Sequence, residues 1–570
     1  MTSVPPTTVA DALVLLQTEY ADLLADMGGA DRVLWVGSGV SRLQVPPVDE
    51  LLRKVLQHLK DHMDPGDGTD PCLMTLDHIV KTYLPDEVTG FRADPDCWVV
   101  PANLTGLIPR YSEILGEDDL LTDGYLLWDA LNLCESYGSS ALIPGPEHEL
   151  LALLIHEGLV TSIVTTNWDA LIEGATGDAC EPGADSPLAV MMSNESFRTE
   201  RGRTILYKAH GCAKAASEDE EAKQFIIART SDIAKWPSMD IYKSMVETLT
   251  SLAKTRRSIM LGLSVQDYNL LQMLAGASVK QPWPWNGNNP AYVFAEPDVG
   301  AAQRNVLKVA YGENYSAASS EICERSASGM YSGLLLSAAT LHLVIDKVRT
   351  GIEYAAAFVG SAPVLDALKH GVTQIETHIA ASADDDPRMV VAALRDGISV
   401  MVGRFFQPSI ELSGTEYAPF YDAPVRPGAD NKFKRLRLPE LCVALALMGL
   451  GTERGLWSLC LGTGSGLDKG VVLLRSATTP DMTARLVVTQ DGVAASALKG
   501  TDLWTAGSQD LVLVHASGER ADSSPRGTGG GIGSRRTGKR SNREVWLSEL
   551  VGAAGDADRL LEAFRTEVSL

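Results

Sequence analysis

Residues 161–173 read TSIVTTNWDALIE, an apolar segment that runs directly into a polar one. The pattern predicts a buried strand whose carboxyl end carries Thr166, Asn167 and Asp169. Asn and Asp also favour turns and helix N-termini, so a capped strand end is the alternative interpretation. The rest of the sequence has to decide between a cap and a functional site.

Length and composition predict a multidomain globular protein. The chain has 570 residues, of which 45% are hydrophobic and 21% charged. A single core seldom grows beyond roughly 250–300 residues, so several domains are expected. The formal net charge of -24 argues against non-specific affinity of the whole surface for nucleic acid or for a membrane.

The N-terminal segment and the cysteines indicate a cytoplasmic protein. The chain begins without a basic segment followed by an apolar one, and no window reaches the roughly 18 apolar residues of a membrane span. The 8 cysteines are scattered and form no C-x-x-C pair. We therefore expect neither a zinc ribbon nor a disulfide framework.

Alternating strand and helix patterns predict an α/β fold with a Rossmann-like, mainly parallel sheet in residues 1–315. The strand candidates are VLWVG, TSIVTTNWD, RTILYKAHG, SIMLGLS and AYVFAEP. VADALVLLQTEYADLLADM is predicted to form one helix, and residues 64–145 to form a largely helical insertion.

Residues 316–570 are predicted to form a mixed α+β domain for assembly or sensing. Residues 327–385 have a helical pattern, and GVVLLRSA, ARLVVTQ and DLVLVHA are strand candidates. Residues 517–543 lack an apolar face and are predicted to be a flexible loop. A cluster of six cations in this loop can either be solvated or contact nucleic acid in a salt-dependent way. The cluster consists of Arg526, Arg535, Arg536, Lys539, Arg540 and Arg543.

The segment VLWVGSGVS places Gly37 and Gly39 between a strand and a predicted helix. Glycines there permit a tight turn, and free N–H groups at a helix start attract phosphate. Arg42 stands where the G-x-G-x-x-G fingerprint has its last glycine, which disfavours an ordinary dinucleotide dehydrogenase. A purely structural turn is the alternative.

Three further strands also end in polar residues. His210 ends the segment YKAH, and its titration range suits proton transfer near neutral pH, although a lone histidine is more often structural. Gly262, Ser264 and Asp267 lie at another strand-to-helix turn, where a simple N-cap is equally compatible. Glu296 follows the last strand and can either hold ribose hydroxyls or face solvent.

The order GSGVS, TTNWD, KAHG and GLSVQD, each at a strand end, resembles the sirtuin superfamily over about residues 30–310. The chain departs from sirtuin deacylases in three ways. It lacks paired cysteines, it has LQVPPVDELLRK where they carry a loop over the nicotinamide, and it has Ser38 in place of the usual alanine. It looks more like the sirtuin-like proteins of bacterial antiphage defence. Those proteins hydrolyse NAD and deplete it in the infected cell, a defence known as abortive infection.

This resemblance implies roles for individual residues. Asn167 would position water and a ribose hydroxyl, His210 would act as the general base, and Asp169 would orient the nicotinamide amide or stabilise charge. NAD is implied as the substrate, without a metal or zinc. The residues implied to bind it are Gly37, Ser38, Gly39, Ser41, Thr166, Gly262, Ser264, Asp267 and Glu296.

Two other functions remain open at this point. The chain can transfer ADP-ribose to an acceptor, or it can be a non-catalytic module that senses NAD or ADP-ribose. A pure sensor needs neither Asn167 nor His210, which argues against the second. The resemblance also implies a homo-oligomer, or a partner such as a helicase-like ATPase or a short Argonaute, with any nucleic acid bound through that partner.

Overall fold

The structure is a computed structural model, and it describes most of the chain. The described residues are 5–263, 265, 268–278, 282–407, 414–425, 435–461, 469–499, 501, 503, 510–518 and 543–570. The predicted loop over residues 517–543 therefore lies mainly outside the described residues, as do Arg526, Arg535, Arg536, Lys539 and Arg540. Arg543 is described and begins a strand.

A parallel six-stranded sheet forms the centre of the first half, in the order β3-β4-β2-β1-β5-β6. The five predicted strands are confirmed, and the sequence pattern missed the short edge strand β3. The strands are β1 (Arg32–Val36), β2 (Ser162–Thr165), β3 (Leu188–Met191), β4 (Thr204–Lys208), β5 (Arg257–Leu261) and β6 (Tyr292–Phe294).

Helices cover both faces of this sheet, because its central strands are apolar on both sides. Leu34 and Val36 of β1 pack on one face, and Val33 and Trp35 pack on the other. The helices of this half outside residues 64–145 are α1 (Val9–Glu19), α2 (Ala21–Gly28), α3 (Val48–His62), α8 (Pro146–His156), α9 (Leu171–Asp178), α10 (Ser196–Thr199), α11 (Ala213–Glu218), α12 (Thr230–Lys235), α13 (Lys243–Thr255), α14 (Tyr268–Ser278), α15 (Ala301–Tyr311) and α16 (Glu313–Ser326).

Residues 64–145 contain helices and turns around an apolar cluster that also includes the inner face of α3. The α-helices are α4 (Pro71–Tyr83), α5 (Val88–Ala93), α6 (Tyr111–Ile114) and α7 (Leu133–Gly138). Short 3-10 helices span Pro85–Glu87 and Thr105–Arg110, and a π-helical turn spans Leu126–Ala130.

One predicted helix differs from the structure, and two helix starts are as expected. The first predicted helix breaks at Tyr20, whose backbone has φ -123° and ψ 30°, and it becomes α1 and α2. The helix predicted after the glycine turn, PVDELLRKVLQHLKDHM, is confirmed as α3, which begins at Val48 after turns over residues 38–44. The helix expected near Asp169 is also confirmed, and it begins at Leu171, whose amide donates to the Asp169 side chain.

A second, mixed sheet lies in the C-terminal part, in the order β11-β10-β9-β8-β7. The pairs between β9, β10 and β11 are parallel, whereas those between β7, β8 and β9 are antiparallel. The predicted strands are confirmed as β8 (Val472–Ser476), β9 (Thr483–Thr489) and β10 (Leu511–His515), and the sheet also contains β7 (Trp457–Cys460) and β11 (Arg543–Trp546).

Helices of the C-terminal part lie between the two sheets and at the chain end. They are α17 (Ser332–Tyr354), α18 (Ala356–Val359), α19 (Ala362–Ala383), α20 (Pro387–Ala392), α21 (Val400–Phe406), α22 (Leu438–Glu453), α23 (Gly492–Leu498), α24 (Leu547–Ala553) and α25 (Ala557–Val568), with a π-helical segment at Ala393–Ser399. One apolar cluster runs from the first sheet through α8 and α17 to the second sheet, so the two parts share a core.

A buried ion pair joins α8 to the C-terminal helices. Lys347 of α17 donates to the Glu157 carboxylate at 2.7 Å and to the Glu157 carbonyl at 2.6 Å, and both side chains are almost fully buried. The same carboxylate accepts from the Tyr417 hydroxyl at 2.6 Å and from the Phe420 amide at 2.8 Å. These bonds satisfy a charge that would otherwise be costly to bury.

Among the helices that the structure describes, none combines the length and the apolar character that a membrane span requires.

We expect Lys347→Met to lower the free energy of unfolding by roughly 3–5 kcal/mol, because the Glu157 carboxylate stays buried without its cation. Urea denaturation measures this change. Lys369→Met is the matched control, because Lys369 pairs with Glu353 at a partly exposed position, and its expected cost is about 0–1 kcal/mol. Equal effects of the two substitutions would contradict the prediction.

Candidate functional site

The carboxyl ends of β1, β2, β4 and β5 meet at one edge of the parallel sheet. The strand register pairs Val36 with both Thr165 and Leu261, and it pairs Thr165 with Lys208. The residues that follow these strands therefore begin at the same level of the sheet. Ligands of open α/β sheets bind at this edge, where the strand order changes direction.

Asn167 is fixed at this edge by its side-chain amide. Its Nδ2 donates to the Gly37 carbonyl at 3.2 Å and to Ser41 Oγ at 3.1 Å, while Thr165 Oγ1 accepts from its backbone N–H at 3.0 Å. A carbonyl can only accept, so the contact with Gly37 determines which end of the Asn167 amide is the NH₂ group. The buried Oδ1 has no hydrogen-bond partner among the described residues.

Ser41 and His148 support Asn167 from inside the protein. Ser41 is fully buried, and its Oγ lies 3.0 Å from His148 Nε2. His148 Nδ1 accepts from the Gly145 N–H at 3.1 Å, so Nε2 of the neutral ring carries the proton and donates to Ser41. The resulting chain runs from Gly145 through His148 and Ser41 to Asn167, and Ser41 lies behind Asn167 rather than at the surface.

His148 is neutral at physiological pH. Burial lowers its pKa from 6.5 to about 4, although the Asp169 charge acts in the opposite direction. A neutral ring has one donor and one acceptor nitrogen, and this arrangement uses both. The depressed pKa therefore preserves the hydrogen-bond direction toward Ser41.

Asp169 is buried and is engaged with the start of α9. Its carboxylate accepts from the Leu171 N–H at 3.2 Å, and its main-chain carbonyl accepts from the buried Lys208 ammonium. This contact is a local turn just before α9, whose N-cap residue is Ala170 and has no side-chain cap. The expected contact of Asp169 with the nicotinamide amide stays a prediction.

His210 follows β4 on the strand next to β2 and is 6% exposed. Its ring meets Trp236 edge to face, with 6.1 Å between the centroids and an interplanar angle of 74°. The next residue, Gly211, has φ +80°, and a Cβ there would lie 2.4 Å from the Phe225 carbonyl oxygen. Close backbone packing, rather than room for the His210 ring, requires this glycine.

The glycine turn packs against the turn after β5. A Cβ on Gly37 would lie 2.5 Å from the Gly262 oxygen, and one on Gly39 would lie 2.6 Å from the Gly262 Cα. The Gly39 amide donates to the Gly262 carbonyl at 3.0 Å, and the Ser41 amide donates to the Ser38 carbonyl at 3.1 Å. The prediction that free amide groups at a helix start would be available to a phosphate was therefore wrong for Gly39 and Ser41. Ser38 and Gly39 are nevertheless exposed.

The other predicted ligand-binding residues have different surroundings. Thr166 directly follows β2 and is half-buried. Glu296 follows β6, two strands from β1, and burial raises the pKa of its carboxyl group. Ser264 and Asp267 lie outside the described residues.

Sequence reasoning missed His148 and Lys208. His148 occupies the first turn of α8, where it looks like an ordinary polar residue of a helix. Its contact is with Ser41, 107 positions earlier, and nothing in the sequence around His148 indicates that contact. Lys208 did carry a signal, because it is a charged residue at the end of the apolar strand segment TILYK. A lysine that ends a buried strand needs a buried partner.

A cleft of about 1170 Å³ lies beside the site, between the segment of residues 42–47, α3 and residues 129–142. Neither Asn167 nor His210 lines it, so the catalytic candidates lie outside this cleft. In the part of the chain that the structure describes, no group of His, Cys, Asp or Glu side chains is arranged to hold a metal ion.

Residues 161–315 match the SIR2-like domain family. The match begins at the TTNWD strand and includes His210, Gly262 and Glu296, while the glycine turn precedes it. No curated protein matches the chain. The chain therefore contains a SIR2-like domain, which is consistent with NAD-dependent activity.

We expect the stability of the protein to fall by about 2 kcal/mol between pH 7.5 and pH 5 because of His148 alone. The folded pKa lies below the unfolded value of about 6.5, so the unfolded chain binds the proton first and stability is lost as pH falls through this window.

Urea denaturation of wild type and His148→Gln at both pH values isolates this contribution. The variant should lose about 2 kcal/mol less than the wild type over the same interval. An equal pH dependence of the two proteins would contradict a depressed pKa for His148.

Proposed function

We propose that the SIR2-like domain hydrolyses the nicotinamide–ribose bond of NAD and releases nicotinamide and ADP-ribose. The observation that carries this proposal is the Asn167 carboxamide at the carboxyl edge of the sheet. Its NH₂ group is held by Gly37 and Ser41, and its buried oxygen has no protein partner among the described residues. A buried acceptor of this kind favours a ligand or water donor.

The chemistry that we propose begins with a water molecule whose hydrogen bond to Asn167 Oδ1 orients it. The water oxygen forms a bond to C1′ of the ribose while the C1′–nitrogen bond breaks. The bonding electron pair moves to the pyridinium nitrogen, so nicotinamide leaves as a neutral molecule. His210 accepts the proton that the water loses, a role commonly worth about a hundredfold or more in rate.

The remaining contacts to NAD are proposed for residues that follow β1, β2, β5 and β6 in the sequence. Ser38 and Gly39 are exposed beside the glycine turn and are proposed to contact the pyrophosphate. Asp169 is proposed to orient the nicotinamide amide, and Glu296 to hold the adenosine ribose. Thr166, Gly262, Ser264 and Asp267 complete the proposed binding set.

We further propose that this activity depletes cellular NAD as an effector of bacterial antiphage defence. The support is the resemblance of GSGVS, TTNWD and KAHG to sirtuin-like defence proteins. Because uncontrolled NAD hydrolysis would kill the host, we propose activation by self-assembly or by a partner such as a helicase-like ATPase or a short Argonaute.

Asn167→Ala and His210→Ala should each lower nicotinamide release by about a hundredfold or more without a change of fold. Chromatography of nicotinamide from the full-length chain, over a series of protein concentrations, measures this effect. Asn103→Ala and His370→Ala are matched controls at exposed positions and should keep wild-type rates. Wild-type release no greater than that of Asn167→Ala at every concentration, both alone and with the products of the neighbouring genes added, would refute the proposal.

The same assay with NAD labelled in its adenine separates hydrolysis from ADP-ribosyl transfer. Hydrolysis yields free labelled ADP-ribose in the same amount as nicotinamide. Label that stays attached to protein in place of free ADP-ribose would support the transferase and contradict the proposed reaction.

In cells, we expect the wild-type chain with its neighbouring genes to reduce phage plating and to lower total NAD after infection, because an active effector consumes the nucleotide. Asn167→Ala should abolish both effects at equal protein level. Protection that persists in Asn167→Ala with NAD unchanged would assign the defence to another activity.

A further inference from the structure

Lys208 connects the two loops that carry Asn167 and His210. It is the last residue of β4, two positions before His210, and its side chain is fully buried. Its ammonium donates to the main-chain carbonyl of Asp169 and, at 2.9 Å, to Glu173 Oε1 on the first turn of α9. The lysine thus extends from one loop to the other beneath the edge of the sheet.

The ammonium is charged in this position. Burial by itself lowers the pKa of Lys208, but Glu173, Cys212 and Asp169 raise it by more, so the pKa lies above its ordinary value. A buried ammonium requires both a counter-charge and filled hydrogen-bond positions. The Glu173 carboxylate supplies the first, and the Asp169 carbonyl contributes to the second.

Main-chain hydrogen bonds already hold the two loops side by side. The Ala209 amide donates to the Thr165 carbonyl at 2.9 Å, and the Ala213 amide donates to the Trp168 carbonyl at 2.8 Å. These bonds flank the polar residues on either side and do not involve the peptide between Asp169 and Ala170. The Lys208 ammonium binds that peptide at the Asp169 carbonyl.

We propose that Lys208 is a positioning residue that sets the separation of Asn167 and His210 for the cleavage of NAD. It does not contact NAD, since its side chain is fully buried; it acts through the Asp169 carbonyl on the loop that carries Asn167. This inference rests on the proposed function. Small displacements of reacting groups lower the chemical rate more than they lower substrate binding, and a shift of about 1 Å can cost a hundredfold.

Lys208→Met removes the ammonium and leaves a side chain of similar length. In the full-length chain we expect kcat for nicotinamide release, per folded molecule, to fall roughly tenfold or more, while KM for NAD changes by less than about twofold. Glu173→Gln is the matched control, because it removes the counter-charge but leaves the bond from Lys208 to Asp169. It should lower the melting temperature and keep kcat within about twofold of wild type.

Lys208→Gln is the second variant, to be used if Lys208→Met does not fold. The glutamine amide keeps a hydrogen-bond donor in the buried site, but on a shorter side chain. The kcat of this variant should also fall with KM preserved. Wild-type kcat in either folded Lys208 variant would overturn the inference, and so would an equal loss in Glu173→Gln, because the ion pair rather than the tether would then be responsible. Absence of nicotinamide release from wild type itself counts against the proposed function and not against Lys208.

Discussion

The ion pair between Glu157 and Lys347 is the contact on which the arrangement of the molecule depends. It lies where the end of α8 meets α17, and its carboxylate also binds Tyr417 and the Phe420 amide. A charge with these bonds has few alternative positions, because each displaced donor would leave a buried polar group unsatisfied. Together with the shared apolar core, the pair therefore fixes the contact of α17 with the end of α8.

Helix α8 extends this constraint to the candidate site. It has 11 residues, so it spans roughly 16 Å. Glu157 caps its C-terminal end, and His148 lies in its first turn against Ser41 and, through Ser41, Asn167. Because α8 is rigid, fixing its end at Glu157 also fixes His148 in its first turn. The position of Asn167 therefore depends on residues far from the sheet edge.

Much of the fold could be predicted from sequence, because β1, β2, β4 and β5 are short apolar runs between helical patterns. The edge strand LAVM at Leu188–Met191 was missed, since four apolar residues in a turn-rich segment give a weak pattern. Glu157 and Lys347 are 190 positions apart, and no periodicity links them. Packing of whole helices decides such contacts.

The candidate site was predictable to a similar degree. Asn167 and His210 could be placed at neighbouring strand ends, because carboxyl ends of parallel strands share one edge. The support from His148 could not be predicted, since it depends on the side chain of another element. Lys208 carried a signal as a charged residue at the end of a buried strand, but its partners did not. The glycines of the turn were correctly expected to permit close approach, but the backbone that approaches Gly37 and Gly39 belongs to Gly262.

The most direct test of the account is an experimental structure of the full-length His210→Ala variant with NAD bound. The account predicts that the nicotinamide ribose, or a water in line with its C1′–nitrogen bond, lies within hydrogen-bond distance of Asn167 Oδ1, with the pyrophosphate beside Ser38 and Gly39. NAD bound elsewhere, with Asn167 Oδ1 facing only protein, would contradict it.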